Sequence, residues 1–140
     1  MIMPNLTVKD VDASVAFYKD KLGFRHDMSM AGESGNNIFA IVGLGAAVLG
    51  VGIDEKINAP YAPGVQFMIY LPDDLNIDQY YADVQEKGVT IDEPLKDTYW
   101  GDRTFTVHDS DGYMLTFAVT VKTVPVDEME ASIRARNSST

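Results

Sequence analysis

The sequence predicts an α+β domain of two tandem β-α-β-β-β modules, followed by a short C-terminal helix. Three observations predict it: the element order occurs twice, a glycine follows each helix, and the second copy ends in a β-hairpin. The chain has 140 residues, 46% of them hydrophobic and 23% charged, which suits one soluble globular domain.

Module one occupies about residues 1–52. The alternating run 2–8 predicts its first strand. Asp10 or Asp12 can cap a helix over residues 13–22, and Gly23 ends that helix. The other three strands are predicted at residues 24–30, 37–42 and 46–51, with glycine and asparagine turns between them.

Residues 53–63 contain two prolines and no periodicity, as expected of a linker, and module two occupies about residues 64–121. Its first strand is predicted at residues 65–71. Pro72-Asp73-Asp74 is expected to open a helix that runs to about Lys87, and Gly88 ends it. The remaining strands are predicted at residues 89–91, 103–108 and 113–117, the last two joined by the turn Asp109-Ser110-Asp111-Gly112.

The two modules match residue by residue around their helices. Asp73 follows Asp10, and Tyr81 follows Tyr18, at the same separation of 63 residues. This register favours an internal duplication over two similar patterns that arose by chance.

Residues 122–140 differ in character from the modules. Asp127 can cap a short helix over residues 128–136, and Met129 and Ile133 give it a narrow apolar stripe. That stripe could dock on the domain or on another subunit. We expect the polar end of the chain, residues 137–140, to be disordered.

The chain is acidic, with a net charge of −10 from 21 acidic and 11 basic residues. This charge excludes an electrostatic nucleic-acid binder and could attract a cationic ligand, although acidic residues also simply solvate a surface.

No apolar run approaches the roughly 20 residues of a membrane span. Without a signal-peptide pattern and without cysteine, the sequence predicts a cytoplasmic protein with no membrane partner.

Two motifs carry a resemblance to a known family. The first helix ends in Phe17-Tyr18 and Leu22-Gly23-Phe24, and the final hairpin begins WGDRTFTVHDSDG at Trp100. Over about residues 2–120 the chain resembles the glyoxalase, bleomycin-resistance and extradiol-dioxygenase superfamily, which has the vicinal oxygen chelate fold. The resemblance implies that the two modules form a curved sheet, or half-barrel, around a central cleft. The chain is most similar to bleomycin-resistance-like members, and the resemblance implies a single domain over residues 1–121.

The resemblance also implies four metal-ligand positions, normally His, Glu or Gln, near the first and last strands of each module. Met3, Gln66 and Thr116 stand at three of them, and residues 49–51 at the fourth contain no such side chain. One neutral amide cannot hold a divalent ion alone. We therefore predict no metal and no other cofactor.

If those positions face the cleft, strand alternation predicts which other residues line it. The opposite parity, with Phe105, Leu115 and Phe117, would face the helices, although packing could also fill both faces. Trp100 is the aromatic residue best suited to stack on a ligand, and its alternative role is to anchor the hairpin. The predicted ligand-binding residues are Met3, Asn5, Thr7, Gln66, Met68, Tyr70, Trp100, Met114 and Thr116.

No catalytic residue is identified by the sequence, and the two histidines are weak candidates. His108 could transfer a proton at the cleft, or it could be a surface residue beside the turn. His26 could approach a ligand with Asp27 as its orienting partner, or the pair could be an exposed strand feature. Arg103 is expected to pair with Asp102, Asp109 or another carboxylate.

The first functional hypothesis is a metal-free protein that binds a small, aromatic or cationic molecule, as in sequestration of an antibiotic or toxic compound. The alternative is a lyase, isomerase or dioxygenase of the same superfamily with a degenerate or displaced metal site. A structural or regulatory module is a third possibility, and it predicts a filled cleft. The resemblance implies a homodimer, and leaves open whether the modules pair within or between chains.

Overall fold

Two four-stranded sheets, each accompanied by one helix, form the fold in the computed structural model, which describes residues 1–53 and 64–138. In module one the elements are β1 (Asn5–Thr7), α1 (Val11–Ala16), β2 (Arg25–Ala31), β3 (Asn37–Leu44) and β4 (Ala47–Gly52). In module two they are β5 (Gln66–Tyr70), α2 (Ile77–Glu86), β6 (Ile91–Asp97), β7 (Asp102–His108) and β8 (Met114–Thr120), and α3 (Val126–Ser138) follows.

Both sheets have the same topology. Their strand orders are β1-β4-β3-β2 and β5-β8-β7-β6. In each, the first strand of the module pairs in parallel with the last, and the other pairs are antiparallel. The predicted fold of two β-α-β-β-β modules and a C-terminal helix is therefore confirmed. The linker residues 54–63 and the last two residues, 139–140, lie outside the described residues.

The first helix begins at the predicted cap and ends with a wider turn. The Oδ1 atom of Asp10 accepts a hydrogen bond from the Ala13 amide at 3.0 Å, so Asp10 rather than Asp12 is the N-cap. After Ala16 the chain continues in a π-helical turn, Phe17–Lys21, before Gly23 adopts a positive φ of 72°.

The second helix begins later than predicted. Pro72 accepts a hydrogen bond from the Leu75 amide at 3.0 Å, which closes a turn instead of a first helical turn. Asn76 is the actual N-cap, and its Oδ1 accepts from the Gln79 amide at 3.0 Å. The prediction that Pro72-Asp73-Asp74 opens the helix is wrong because the apolar helical periodicity starts only at Ile77.

Strand β6 is longer and lies further along the chain than the predicted run at residues 89–91. It forms an edge of its sheet, and its register with β7 shifts on both sides of Glu93. Pro94 has no N–H to donate, which suits an edge strand with bulges. Because an edge strand is solvated, its sequence lacks the apolar alternation on which the prediction depended.

The C-terminal helix α3 extends two residues beyond the predicted span at each end. The carbonyl of Pro125 accepts from the amides of Glu128 and Met129, both at 3.1 Å, so the helix starts immediately after this proline. Asp127 bonds the Glu128 amide at 3.0 Å from within the helix and is not its cap. Among the described residues, no helix is long and apolar enough to cross a membrane.

One core runs through both modules. The Phe24 ring lies 5.1 Å from Tyr18 and 6.3 Å from Phe117 of module two, and Phe117 lies 5.2 Å from Tyr80. The Tyr80 hydroxyl donates to the Leu22 carbonyl at 2.6 Å. Aromatic packing and a buried hydrogen bond thus fix the modules against each other.

The turn between β7 and β8 reaches back into module one. The Tyr18 hydroxyl donates to Asp109 Oδ2 at 2.6 Å, and Ser14 Oγ donates to Asp111 Oδ2 at 3.2 Å. Burial raises the pKa of the Asp109 carboxyl, although the hydrogen bonds that it accepts oppose that rise. Burial, followed by the neighbouring Asp109 charge, raises the pKa of Tyr18.

Candidate functional site

Strand alternation in module two separates a core face from an open concave face. Leu115 and Phe117 are fully buried, whereas Met68 and Tyr70 of the neighbouring strand β5 are exposed on the other face. The register aligns Met68 with Thr116, and Thr116 with Thr106. Three strands therefore present side chains to one surface.

A cavity of about 180 Å³ lies on this concave face, and we call it the module-two cavity. It contains four of the predicted ligand-binding residues and four that the sequence analysis did not propose. Its lining residues are Gln66, Met68, Glu93, Lys96, Trp100, Thr104, Thr106 and Thr116.

The floor of the cavity is a buried polar network. Thr106 is 1% exposed and Thr116 is 5% exposed. Their Oγ1 atoms lie 2.8 Å apart, and the Gln66 Nε2 donates to the Thr116 Oγ1. Each group has a partner, so burial costs little, and the network holds the three side chains in place.

Trp100 forms a fixed aromatic wall. Its Nε1 donates to Asp102 Oδ2 at 3.0 Å, and the Tyr70 hydroxyl donates to the same oxygen at 2.7 Å. Asp102 is only 4% exposed. The hydrogen bond to Asp102 raises the pKa of Tyr70, with a further contribution from burial. One buried carboxylate thus orients both aromatic side chains.

Arg103 does not pair with Asp102 or Asp109. Its Nε lies 2.6 Å from Asp97 Oδ1, and its Nη1 lies 3.2 Å from Asp78 Oδ2. The pKa of Asp97 is lowered by the hydrogen bond from Arg103. The expectation that Arg103 pairs with a carboxylate other than Asp102 or Asp109 is therefore the correct one.

Tyr70, Met114 and the predicted residues of module one are not among those that line this cavity. The Thr7 carbonyl accepts from the Tyr113 hydroxyl at 2.7 Å, which fixes the end of β1. Asn5 pairs in register with Gly50, and Met3 precedes β1. Met114 pairs with Gln66 and His108 at the opposite end of the sheet from Tyr70.

A second cavity, of about 260 Å³, lies between the modules. Gln66 and Met68 belong to its wall as well as to the first cavity, and from module one the segment before β1 contributes the two residues that flank Met3. Its remaining walls are Ile2, Pro4, Phe67, Ile69 and residues 46–49.

Neither histidine lines the module-two cavity. His108 Nδ1 lies 2.8 Å from Asp92 Oδ2 on the edge strand, in an ion pair if the imidazole is protonated. His26 Nε2 lies 2.5 Å from Ser29 Oγ. Asp27 bonds Arg25 Nε at 3.2 Å and is therefore not the orienting partner expected for His26.

The residues that sequence reasoning missed fall into two groups. Thr104 and Thr106 alternate with the core residues Phe105 and Val107, so the period-two pattern of β7 already contained their signal. Glu93, Lys96 and Asp102 gave no such signal, because their places depend on the bulged edge strand and on a buried hydrogen bond.

The family model for the Glyoxalase/Bleomycin resistance protein/Dioxygenase superfamily matches residues 2–117. The chain belongs to this superfamily. Sequence comparison with curated proteins gives no significant match. The superfamily assignment therefore rests on the family match and on the fold.

Solved structures of the superfamily share this fold. TioX from Micromonospora sp. ML1 is 22% identical, with a TM-score of 0.69 over 85% of this chain and 97% of that chain. A glyoxalase/bleomycin resistance protein/dioxygenase from Alicyclobacillus acidocaldarius is 17% identical, with a TM-score of 0.69 over 92% and 94% of the chains. A glyoxalase-related enzyme from Clostridium phytofermentans is 21% identical, with a TM-score of 0.68 over 86% and 94%. At these identities the likeness concerns the fold alone.

The residues at the superfamily's four metal-ligand positions do not fit a divalent ion. Gln66 and Thr116 hydrogen-bond to each other, and both are neutral. Gly50, between the core residues Leu49 and Val51, has no side chain to offer, and Met3 has only a thioether. Divalent ions in protein sites are held mainly by carboxylate or imidazole side chains, and none of these four residues has one. Within residues 1–53 and 64–138, no three His, Cys, Asp or Glu side chains are grouped to bind a metal.

Proposed function

We propose that this chain is a glyoxalase/bleomycin-resistance-like protein that binds a small organic molecule without a metal, and that it sequesters an antibiotic or another toxic compound. The module-two cavity carries the proposal. Its hydroxyl and amide floor beside the wall of Trp100 combines an aromatic surface with a few fixed polar groups, as small-molecule sites do. Sequestration needs such a cleft and no catalytic group.

The ligand we propose is flat and aromatic, and a positive charge on it would strengthen binding. Trp100 is 37% exposed and fixed by Asp102, so its ring can stack without first becoming ordered. A cation over an indole gains about 0.5–2 kcal/mol. The net charge of −10 also favours cations at long range.

We further propose that the protein is a cytoplasmic homodimer with no nucleic-acid or membrane partner. The volume of the module-two cavity, about 180 Å³, supports the dimer, because it is smaller than the volume of a typical binding site for a drug-sized molecule. Such sites occupy roughly 300–1,000 Å³, so a second subunit over the concave face would complete the enclosure.

The enzyme hypothesis is favoured by one observation. Asp92 lies 2.8 Å from His108 Nδ1 and can orient the imidazole, so that Nε2 exchanges a proton with a ligand. The alternative is therefore a lyase, isomerase or dioxygenase with a degenerate or displaced metal site, in which this pair would be the acid–base group and the substrate would bind beside His108, outside the cavity of the polar floor. Its test is His108→Gln, which would abolish a turnover that depends on the pair and leave simple binding intact.

The metal-free part of the proposal is tested by elemental analysis of the purified protein, together with thermal unfolding in added Zn²⁺, Ni²⁺, Mn²⁺ and Fe²⁺. A ligand of the folded state at a hundred times its Kd stabilises by about 2.7 kcal/mol. We expect no stoichiometric metal and no shift that a chelator reverses. Stoichiometric metal in the purified protein, or a stabilising shift that a chelator reverses, would overturn the metal-free assignment.

The binding part is tested by screening cationic aromatic compounds through quenching of Trp100, the chain's single tryptophan. We expect saturable quenching that Thr116→Val weakens and Thr120→Val does not, because Thr120 lies on the same strand outside the cavity. Equal effects of the two variants, or no quenching by any compound, would contradict a ligand site at this cavity.

A further inference from the structure

Another cavity adjoins the first one at Lys96 and Trp100 but opens away from the polar floor. We call it the outer groove, and its volume is about 420 Å³. Five of its residues come from the end of β6 and the segment that leads into β7, and the sixth comes from the last turn of α3. The six are Lys96, Asp97, Thr98, Tyr99, Trp100 and Arg136.

The outer groove contains more positive than negative charge. Lys96 and Arg136 are its cations, and Asp97 is its single carboxylate. That carboxylate accepts from Arg103 Nε at 2.6 Å and from Arg103 Nη2 at 3.3 Å, so its charge is met from outside the groove. Glu93, 3.5 Å from Lys96, forms a pair in which both side chains are more than half exposed. Such exposed pairs are weak.

The groove also presents ordered aromatic surface. The rings of Tyr99 and Trp100 stand at 89° with centroids 5.0 Å apart. Arg136 Cζ lies 5.7 Å from the centroid of the Tyr99 ring. A guanidinium over a ring keeps its N–H donors in its own plane, and a donor that the protein does not already engage can bind a carboxylate.

From these contacts we propose that the outer groove binds a flat organic anion, such as an aromatic carboxylate. The aromatic ring would pack against Tyr99 and Trp100, and the acid would lie between Lys96 and Arg136. In this arrangement α3 contributes a binding residue and is more than a docked tail. The inference does not depend on the ligand proposed for the concave face, because the two cavities differ in all but two of their residues.

The test uses the indole N–H of Trp100, which gives one tryptophan side-chain signal in a ¹⁵N-HSQC spectrum of the full chain. The probes are 2-naphthoate and its neutral analogue 2-naphthamide. We expect naphthoate to shift this signal saturably and to bind at least about tenfold more tightly than the amide, as charge-assisted hydrogen bonds imply. Equal affinities of acid and amide would overturn the proposal.

Matched variants locate the anion. Arg136→Gln and Lys96→Gln should each weaken naphthoate about tenfold, with Arg136→Lys between wild type and Arg136→Gln. Arg134→Gln removes the same charge from the same helix outside the groove and should change the Kd less than about twofold. Equal losses in Arg134→Gln and Arg136→Gln would show only a long-range charge effect and refute the site.

Thr116→Val separates this proposal from the one for the concave face. It should leave naphthoate binding unchanged, because Thr116 lines the polar floor and not the outer groove. If Thr116→Val weakens the binding of naphthoate and Arg136→Gln does not, the anion binds in the module-two cavity and the outer-groove site is wrong. Thermal unfolding of each variant confirms that the comparison is made between folded proteins.

Discussion

The concave faces of the two modules share a strand arrangement and differ in chemistry. In module one, Asn5 pairs with Gly50, and Gly50 pairs with Ile41. The face continues in apolar side chains: Phe39 covers Gly50, and Met30, which is 50% exposed, pairs with Phe39. No hydroxyl stands at these five positions.

Two of the corresponding positions of module two carry a threonine hydroxyl. Met68 follows Asn5 by the repeat distance of 63 residues and pairs with Thr116, which is therefore the counterpart of Gly50. Thr106 pairs with Thr116 where module one has Ile41, and the two hydroxyls are hydrogen-bonded at 2.8 Å. The strand pairing of the duplicated modules is retained, whereas the side chains on this face have diverged.

The hairpin turns repeat the same contrast. In module two, buried Asp109 accepts the Tyr18 hydroxyl of module one at 2.6 Å. In module one, the equivalent turn meets module two through apolar atoms, since a Cβ at Gly45 would lie 3.2 Å from the Pro72 ring. Polar contacts on one side and van der Waals contacts on the other therefore join the modules, and four predictions test this difference.

The largest effect is expected for Asp109→Ala. It removes the acceptor of the Tyr18 hydroxyl and of the amides of Asp111 and Tyr113, and leaves a buried hydroxyl unsatisfied. We expect a loss of about 3 kcal/mol in the free energy of unfolding, measured by urea denaturation. Ser110→Ala, in the same turn and exposed, is the control and should change stability by less than about 0.5 kcal/mol. A loss below 1 kcal/mol for Asp109→Ala would show that the polar contact does not hold the modules together.

The next effect is expected on the apolar face, for Gly50→Ala. The new Cβ would overlap the Asn5 side-chain oxygen and lie 3.0 Å from Phe39 Cζ, so both side chains must move. We expect a loss of about 1–2 kcal/mol by thermal unfolding, as for other overpacked sites. Adding Asn5→Ala should recover part of that loss, and purely additive effects of the two substitutions would contradict the steric explanation.

A smaller effect is expected on the polar face, for Thr116→Val. The valine keeps the shape but removes the hydroxyl that joins Gln66 and Thr106. We expect a loss of about 1 kcal/mol in unfolding free energy, from two hydrogen bonds that lose one partner. Thr120→Val, exposed at the end of the same strand, serves as the control. Equal stability of the two variants would mean that the floor network contributes nothing to the fold.

The smallest effect is a pH dependence. Because the pKa of Asp109 is raised in the folded state, the folded protein binds more protons than the unfolded chain at pH values above the ordinary aspartate pKa of 3.8. This group therefore lowers stability as pH rises from about 4 through its folded pKa. Asp109→Asn lacks that titration, so its stability relative to wild type should improve over this interval. Parallel stability curves for the two proteins would contradict the raised pKa.

Local patterns predicted much of the scaffold. The sequence predicts Asp10 or Asp12 at the start of the first helix and Gly23 at its end, because a cap acts on the backbone within a few residues, and the structure selects Asp10. The core parity of β7 and β8 followed from the two-residue period of a strand, and the repeat of elements predicted the fold that the superfamily match confirms.

The sequence by itself thus determined the two modules, the core face of β7 and β8, and four of the residues that line the cavity of module two. Only the tertiary structure decided that β6 bulges at the edge and brings in Glu93 and Lys96, that Asp102 holds Trp100, and that α3 carries Arg136 to Tyr99. The physical reason is range. Caps, periods and turns act over a few residues, whereas these contacts join strands and a helix whose approach is set by the packing of the whole domain.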